Sequence, residues 1–199
     1  MIKKFTYNNP FETYATVLNI EESKSDLLYF SKTENTFTYN MTDTTVVYGL
    51  GEAVRGINKR GWIYDGYCSD DPCHTEDKRS LYGAHNFLII DDKANGGDRF
   101  GVFFDYPARI TFDIGYTDTN TLLVSTEKND IDVYIVEGET LREIVKNFRA
   151  IIGMSYIAPK WAFGFMQSRW SYFTKDDVVR IADSYNDARV PLDAIFLDI

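Results

Sequence analysis

The spacing of apolar residues changes at Thr140, and that change restricts the folds open to this chain. Before it, apolar positions recur at every second residue. Phe37, Tyr39 and Met41 alternate with Thr and Asn, and Ile110, Phe112 and Ile114 with Thr111 and Asp113. Ile131, Val133 and Ile135 alternate with Asp132 and Tyr134. Successive strand side chains point to opposite faces, so each segment predicts a half-buried β-strand. Phe87–Ile90 and Phe100–Phe104 are continuous apolar runs, expected at a sandwich centre, with a turn across Asp91–Asp98. Tyr48-Gly-Leu-Gly-Glu52 is not followed by a helix or a Lys-Ser/Thr pair, so it is no phosphate loop. Its glycines are expected to permit a tight bend. Many short strands separated by turns predict a β-sandwich.

After Thr140 the apolar residues fall on a helical stripe: Leu141, Ile144, Val145, Phe148, Ile151 and Ile152. Thr140 and Glu143 have the spacing of a capping box, and Gly153 suits a left-handed stop. This helix is expected to join two domains. Beyond Pro159, Trp161–Gln167 reads as a strand and Ser168–Thr174 as a loop. Thr174 caps a second helix, with Asp176 and Asp177 in its first turn, where the helix dipole favours carboxylates. Val178, Ile181, Ala182 and Tyr185 line one face of it. Ala194–Leu197 is then a continuous apolar run, as in a parallel strand covered on both faces. Strand, helix and strand make a β-α-β unit with two parallel strands.

Composition narrows the function. A formal charge of −9 argues against a nucleic-acid surface. No run approaches the ~20 apolar residues that span a bilayer, and the start lacks a signal-peptide core. A soluble, cytoplasmic protein without a membrane partner is expected. Asn40-Met-Thr42 matches a glycosylation sequon and reads as chance in that setting. Cys68 and Cys73 are too few for a disulfide framework. His74 beside Cys73 has no second ligand pair at zinc spacing, so no metal site is expected.

Two constellations could carry chemistry. Arg169 and Trp170 follow the first parallel strand, and Asp198 and Ile199 end the second, which puts them on one rim. An indole beside a carboxylate suits a sugar: the ring covers a C–H face while the carboxylate accepts hydrogen bonds from two hydroxyls. The plain alternative is a core Trp and an Asp that caps a helix. The second constellation is Cys68–Arg79, a polar connection longer than a hairpin needs. It is either a functional loop or a solvated one in which Asp70 and Asp71 pair with Lys78 and Arg79.

Tyr48-Gly-Leu-Gly-Glu52, Leu81-Tyr-Gly-Ala-His-Asn-Phe87, Gly164-Phe-Met-Gln-Ser-Arg-Trp170 and Val190–Ile199 occur in that order. Together they resemble glycoside hydrolase family 31, and within it bacterial α-glucosidases, over essentially the whole chain. The resemblance implies a mostly β fold: an N-terminal β-sandwich at 1–139, a linking helix and connector at 140–158, and the first β-α-β of a (β/α)8 barrel at 159–199. It implies retaining hydrolysis of terminal non-reducing α-linked glucose from oligosaccharides, without metal or organic cofactor. Retention needs two carboxylates ~5–5.5 Å apart. The family's nucleophile run and its acid/base segment both lie later in the barrel, so this stretch holds no catalytic residue. It is expected to be an inactive N-terminal fragment. Substrate contacts carry over to Asp70, Trp170, Asp198 and Ile199. Asp198 would bind hydroxyls, Trp170 would shape the wall of the sugar subsite, and the bulk of Ile199 would affect which sugars enter. Asp70 would reach substrate from an N-domain loop. An α-xylosidase of the same family is an alternative, as is a non-catalytic carbohydrate-binding or interaction module. If the chain ends at Ile199, self-association through unpaired barrel strands is expected.

Overall fold

Ten strands, one α-helix and two short 3-10 turns precede residue 155 in the computed structural model, which describes residues 1–198, the side chains of Thr16 and Val17 excepted. They are β1 (Ile2–Tyr7), β2 (Ser31–Thr33), β3 (Thr36–Asn40), β4 (Val46–Gly51), β5 (Trp62–Gly66) and β6 (Ala84–Asp91). β7 (Arg99–Asp105), β8 (Ile110–Ile114), β9 (Thr121–Thr126), β10 (Ile131–Glu137) and helix α1 (Leu141–Ile152) follow. One antiparallel sheet has the order β1-β10-β7-β6-β4 and the other β2-β3-β9-β8-β5. Their facing sides share one core, in which Val47, Leu88, Phe100, Val102, Phe104 and Val133 meet Phe37, Ile110, Phe112, Leu122 and Val124. The protein is thus mostly β, with an N-terminal β-sandwich.

The outer face of the first sheet is also buried. β10 was expected to be half-buried, yet Asp132 and Tyr134, its alternate residues, are 1% and 0% exposed. The reason is tertiary. Helix α1 lies on this face, with Ile144 and Ile151 buried and Phe148 stacked on Phe87 at a ring separation of 3.8 Å. Gly101 permits the approach: a Cβ there would lie 2.7 Å from the Ile144 side chain. Each such isoleucine contributes about 1.5–3 kcal/mol by burial. The helix expected to join two domains therefore packs within the sandwich unit, which extends to Met154. Val145 and Ile152, the flanks of its apolar stripe, remain 42% and 45% exposed. Asp132 is compensated from β1: Lys4 Nζ at 2.9 Å neutralises the buried carboxylate, and the Thr6 hydroxyl donates to it at 2.7 Å.

The helix ends differ in detail from their sequence signatures. Glu143 N donates to the Thr140 hydroxyl at 3.1 Å, but the Glu143 carboxylate accepts from Glu139 N, not from the amide of the cap residue. Gly153 stops α1 at φ 87° and ψ 175°, outside the left-handed helical region and in a part of backbone space used almost only by glycine.

The Gly-Leu-Gly run forms a β-bulge. Pairing of β4 with β6 shifts register between Gly49 and Gly51, and residues 49, 50 and 51 all have positive φ. A Cβ on Gly49 would sit 2.4 Å from the Phe87 carbonyl oxygen. Gly49→Ala is therefore expected to destabilise the sandwich by at least about 1–3 kcal/mol. The midpoint of urea unfolding measures this, and an unchanged midpoint would show that the bulge relaxes freely.

Residues from Ser155 onward form a second compact unit. It contains β11 (Met166–Arg169), helix α2 (Lys175–Asp187) and β12 (Ala194–Leu197), the β-α-β unit expected. The first strand is shorter than its sequence suggests. Residues Lys160–Phe163 make a 3-10 turn after Pro159, with Ala162 N donating to Pro159 O and Gly164 N to Trp161 O, both at 3.0 Å. The apolar text of Trp161–Phe163 is thus spent on a turn, and the strand continues through Arg169 into the expected loop. Thr174 and Asp177 complete a capping box on α2. Among the described residues, no helix is long and apolar enough to cross a membrane.

Candidate functional site

β11 and β12 pair in parallel, with Met166 opposite Ala194 and Arg169 opposite Leu197. Past these last partners the chain continues into Trp170 on one strand and Asp198 on its neighbour. Neighbouring strands lie ~4.8 Å apart, so the backbone brings indole and carboxylate to one C-terminal edge. Trp170 is 74% exposed, which removes the reading of it as an ordinary core residue in this unit. Asp198 is exposed as well. Ile199 lies outside the described residues.

The opposite ends of the two strands are fastened together. Asp193 N donates to Phe165 O at 2.9 Å, and the Asp193 carboxylate accepts from Phe165 N at 3.2 Å. A Cβ on Gly164 would lie 2.0 Å from that carboxylate, so a larger residue there would have to displace the Asp193 side chain. Tyr185 on α2 donates its phenol to Gln167 Oε1 at 2.7 Å, which fixes the helix against β11. The Arg180 guanidinium, and next the Thr174 hydroxyl, hold the Asp177 carboxyl below the usual range. Cover is incomplete: Phe196 and Leu197 are 55% and 70% exposed, where a strand covered on both faces was expected. Two strands and one helix provide too few neighbours to bury them.

The 68–79 loop belongs to the sandwich unit, and in it the two aspartates have separate roles. Asp71 takes the surface pairing: it accepts from Lys78 Nζ and from Cys73 N, and these contacts lower its pKa, with Lys78 the larger cause. Asp70 is exposed and faces the Tyr82 phenol. Desolvation, and after it this carboxylate, push the Tyr82 pKa up. The His74 ring meets the Tyr82 ring edge-on at 5.5 Å, and both line a cleft of about 330 Å3 together with Glu52 and Leu81. Glu52 is tied back, accepting from Gly83 N at 2.7 Å. The sequence placed His74 only beside Cys73 and Tyr82 only within the Leu81–Phe87 motif, and did not bring the two together. No local spacing marks a contact between a residue inside this loop and one just past its end. Cys68 and Cys73 are free thiols, both exposed.

Comparison with known proteins accounts for both units. Residues 7–113, more than half of the chain, match the glycosyl hydrolase 31 N-terminal galactose mutarotase-like domain. Residues 155–199 match the glycosyl hydrolases family 31 TIM-barrel domain. The chain is 31% identical to alpha-glucosidase 2 of Bacillus thermoamyloliquefaciens over 92% of its own length and 23% of that protein's. It is 27% identical to an alpha-xylosidase of Lactiplantibacillus pentosus over 76% of its own length and 19% of that protein's. The structure of a Flavobacterium johnsoniae GH31 dextranase, complexed with isomaltotriose, superimposes with a TM-score of 0.74 at 27% identity. That match covers 86% of this chain and 21% of the dextranase. The chain thus spans about a fifth of the length of these relatives. With the sandwich matched to one domain and the β-α-β unit to the domain that follows it, the chain belongs to glycosyl hydrolase family 31.

Proposed function

We propose that this chain is the N-terminal part of a retaining α-glucosidase that removes terminal non-reducing α-linked glucose from oligosaccharides. Trp170 and Asp198, side by side at the C-terminal edge of a parallel strand pair, support this most directly. That edge is where parallel barrels carry their sites. In this reading the β-α-β unit begins a (β/α)8 barrel at residue 159. Asp198 accepts hydrogen bonds from sugar hydroxyls and Trp170 covers a C–H face. Asp70 adds a carboxylate from its own loop, with Asp71 already engaged by Lys78. Ile199 lines the pocket. The nucleophile and the acid/base come from chain outside these 199 residues, and the enzyme is cytoplasmic.

The α-xylosidase relative supports a second reading, in which the sugar lacks the C6 hydroxymethyl group. Hydrolysis of aryl α-glucoside and aryl α-xyloside distinguishes the two. The 199-residue chain is expected to turn over neither. A longer polypeptide that carries it is expected to prefer the glucoside in kcat/KM. Preference for the xyloside would select the second reading. Turnover by the 199-residue chain itself would reject the placement of the catalytic carboxylates elsewhere.

A further inference from the structure

The outer edge of the second sheet brings two arginines to one cleft, and one of them, Arg79, ends the 68–79 loop described above. β5 is the last strand of that sheet, and the segment after it folds back along its open side. Asp65 N donates to Arg79 O at 3.0 Å and Ser69 N to Leu81 O at 2.8 Å. Arg55 is fastened to the same edge. Its Nε donates to Glu76 O and its Nη1 to Ile63 O, the latter at 2.9 Å. Its guanidinium carbon lies 4.0 Å from the Trp62 ring centre and 4.9 Å from that of Tyr64. Arg55 and Arg79 line one cleft of about 160 Å3, with Trp62, Asp77 and Tyr116.

Neither arginine forms an ion pair among the described residues, although the chain has 30 acidic residues against 21 Lys and Arg. Asp77 is the single carboxylate lining the cleft, and it accepts the Thr75 hydroxyl. Lys59, 7% exposed, adds to the field: its Nζ donates to Gly56 O at 3.2 Å. Burial, and then the Arg55 charge, lower its pKa. Like charges gathered in a concave, partly desolvated place repel each other. A guanidinium held rigid by two carbonyls and an indole presents its remaining donors as a fixed fork, the geometry that matches an oxyanion.

We propose that Arg55 and Arg79 form a binding site for a small oxyanion, either phosphate or the carboxylate of a sugar acid. The cleft has room for about five waters at ~30 Å3 each, which suits one small anion. Tyr116, 62% exposed, offers a flat wall against which a sugar ring would rest. Asp77 disfavours a polyanion.

Calorimetric titration of the chain with phosphate, glucuronate and glucose separates the sources. At least one of the two anions is expected to bind, and glucose is not. Tighter binding of glucuronate would assign a sugar acid, and tighter binding of phosphate the inorganic ion. Raising the salt should weaken binding by screening. Arg79→Ala is expected to weaken it at least about tenfold, or ~1.4 kcal/mol, with no change in thermal unfolding, because the side chain is exposed. Arg55→Lys keeps the charge and loses the fork, and is expected to weaken it too. Affinity poorer than about 10 mM for both anions, binding unaffected by Arg79→Ala, or glucose binding as well as glucuronate would overturn the proposal.

Discussion

Replacing Asp198 by alanine in the complete enzyme is expected to lower kcat/KM at least about a hundredfold, equivalent to roughly 2.7 kcal/mol. The argument starts from backbone register. Leu197 is the last residue of β12 paired to β11, so Asp198 follows directly past the paired part of the sheet. On the proposed function, a carboxylate there would accept hydrogen bonds from sugar hydroxyls that shift as the ring flattens toward an oxocarbenium ion. Such bonds strengthen in the transition state, and in glycosidases they supply several kcal/mol. The loss should appear in kcat as well as in KM. Trp170→Ala is expected to act in the same direction, since the indole is 74% exposed and its removal leaves no core cavity. The control is the melting temperature, which should stay close to wild type for both variants. Near wild-type kinetics for Asp198→Ala would remove it from the substrate site.

Phe104→Ala is expected to cost about 3–5 kcal/mol of sandwich stability. Phe104 is 0% exposed and sits between the two sheets. Its ring meets Phe37 at 5.4 Å, Phe112 at 5.8 Å and Phe30 at 5.9 Å, all near edge-on. Truncation removes the transfer energy of the ring, leaves a cavity and breaks these contacts, each worth about 0.5–1.5 kcal/mol beyond burial. Domains of this size have about 5–15 kcal/mol of net stability, so the variant would be close to unfolding. Urea denaturation followed by tyrosine and tryptophan fluorescence measures the loss. A change below about 1.5 kcal/mol would mean that the neighbouring rings collapse into the space.

Periodicity alone determined the strands at 36–40, 110–114 and 131–135, the helix at 141–152 and the parallel β-α-β at the end. These are local consequences of side-chain direction, repeating every 2 or 3.6 residues. Trp170 and Asp198 were legible for the same reason: strand ends can be counted along the chain, and parallel pairing aligns them. Tertiary structure decided the rest. Asp132 and Tyr134 read as solvent-facing, because a strand pattern does not show that the helix after it will fold back over its second face. Trp161–Phe163 read as strand, because apolar content cannot distinguish a 3-10 turn after a proline from extended chain. Asp70 and Asp71 are neighbours with one composition. Only the folded loop gives Lys78 to Asp71 and turns Asp70 toward Tyr82. Arg55 and Arg79 are 24 residues apart in sequence, and they share a cleft because the segment after β5 folds back along the sheet edge. Local pattern chose the elements. Long-range pairing chose which charges meet, since Coulomb energy depends on distance in space and not on separation along the chain.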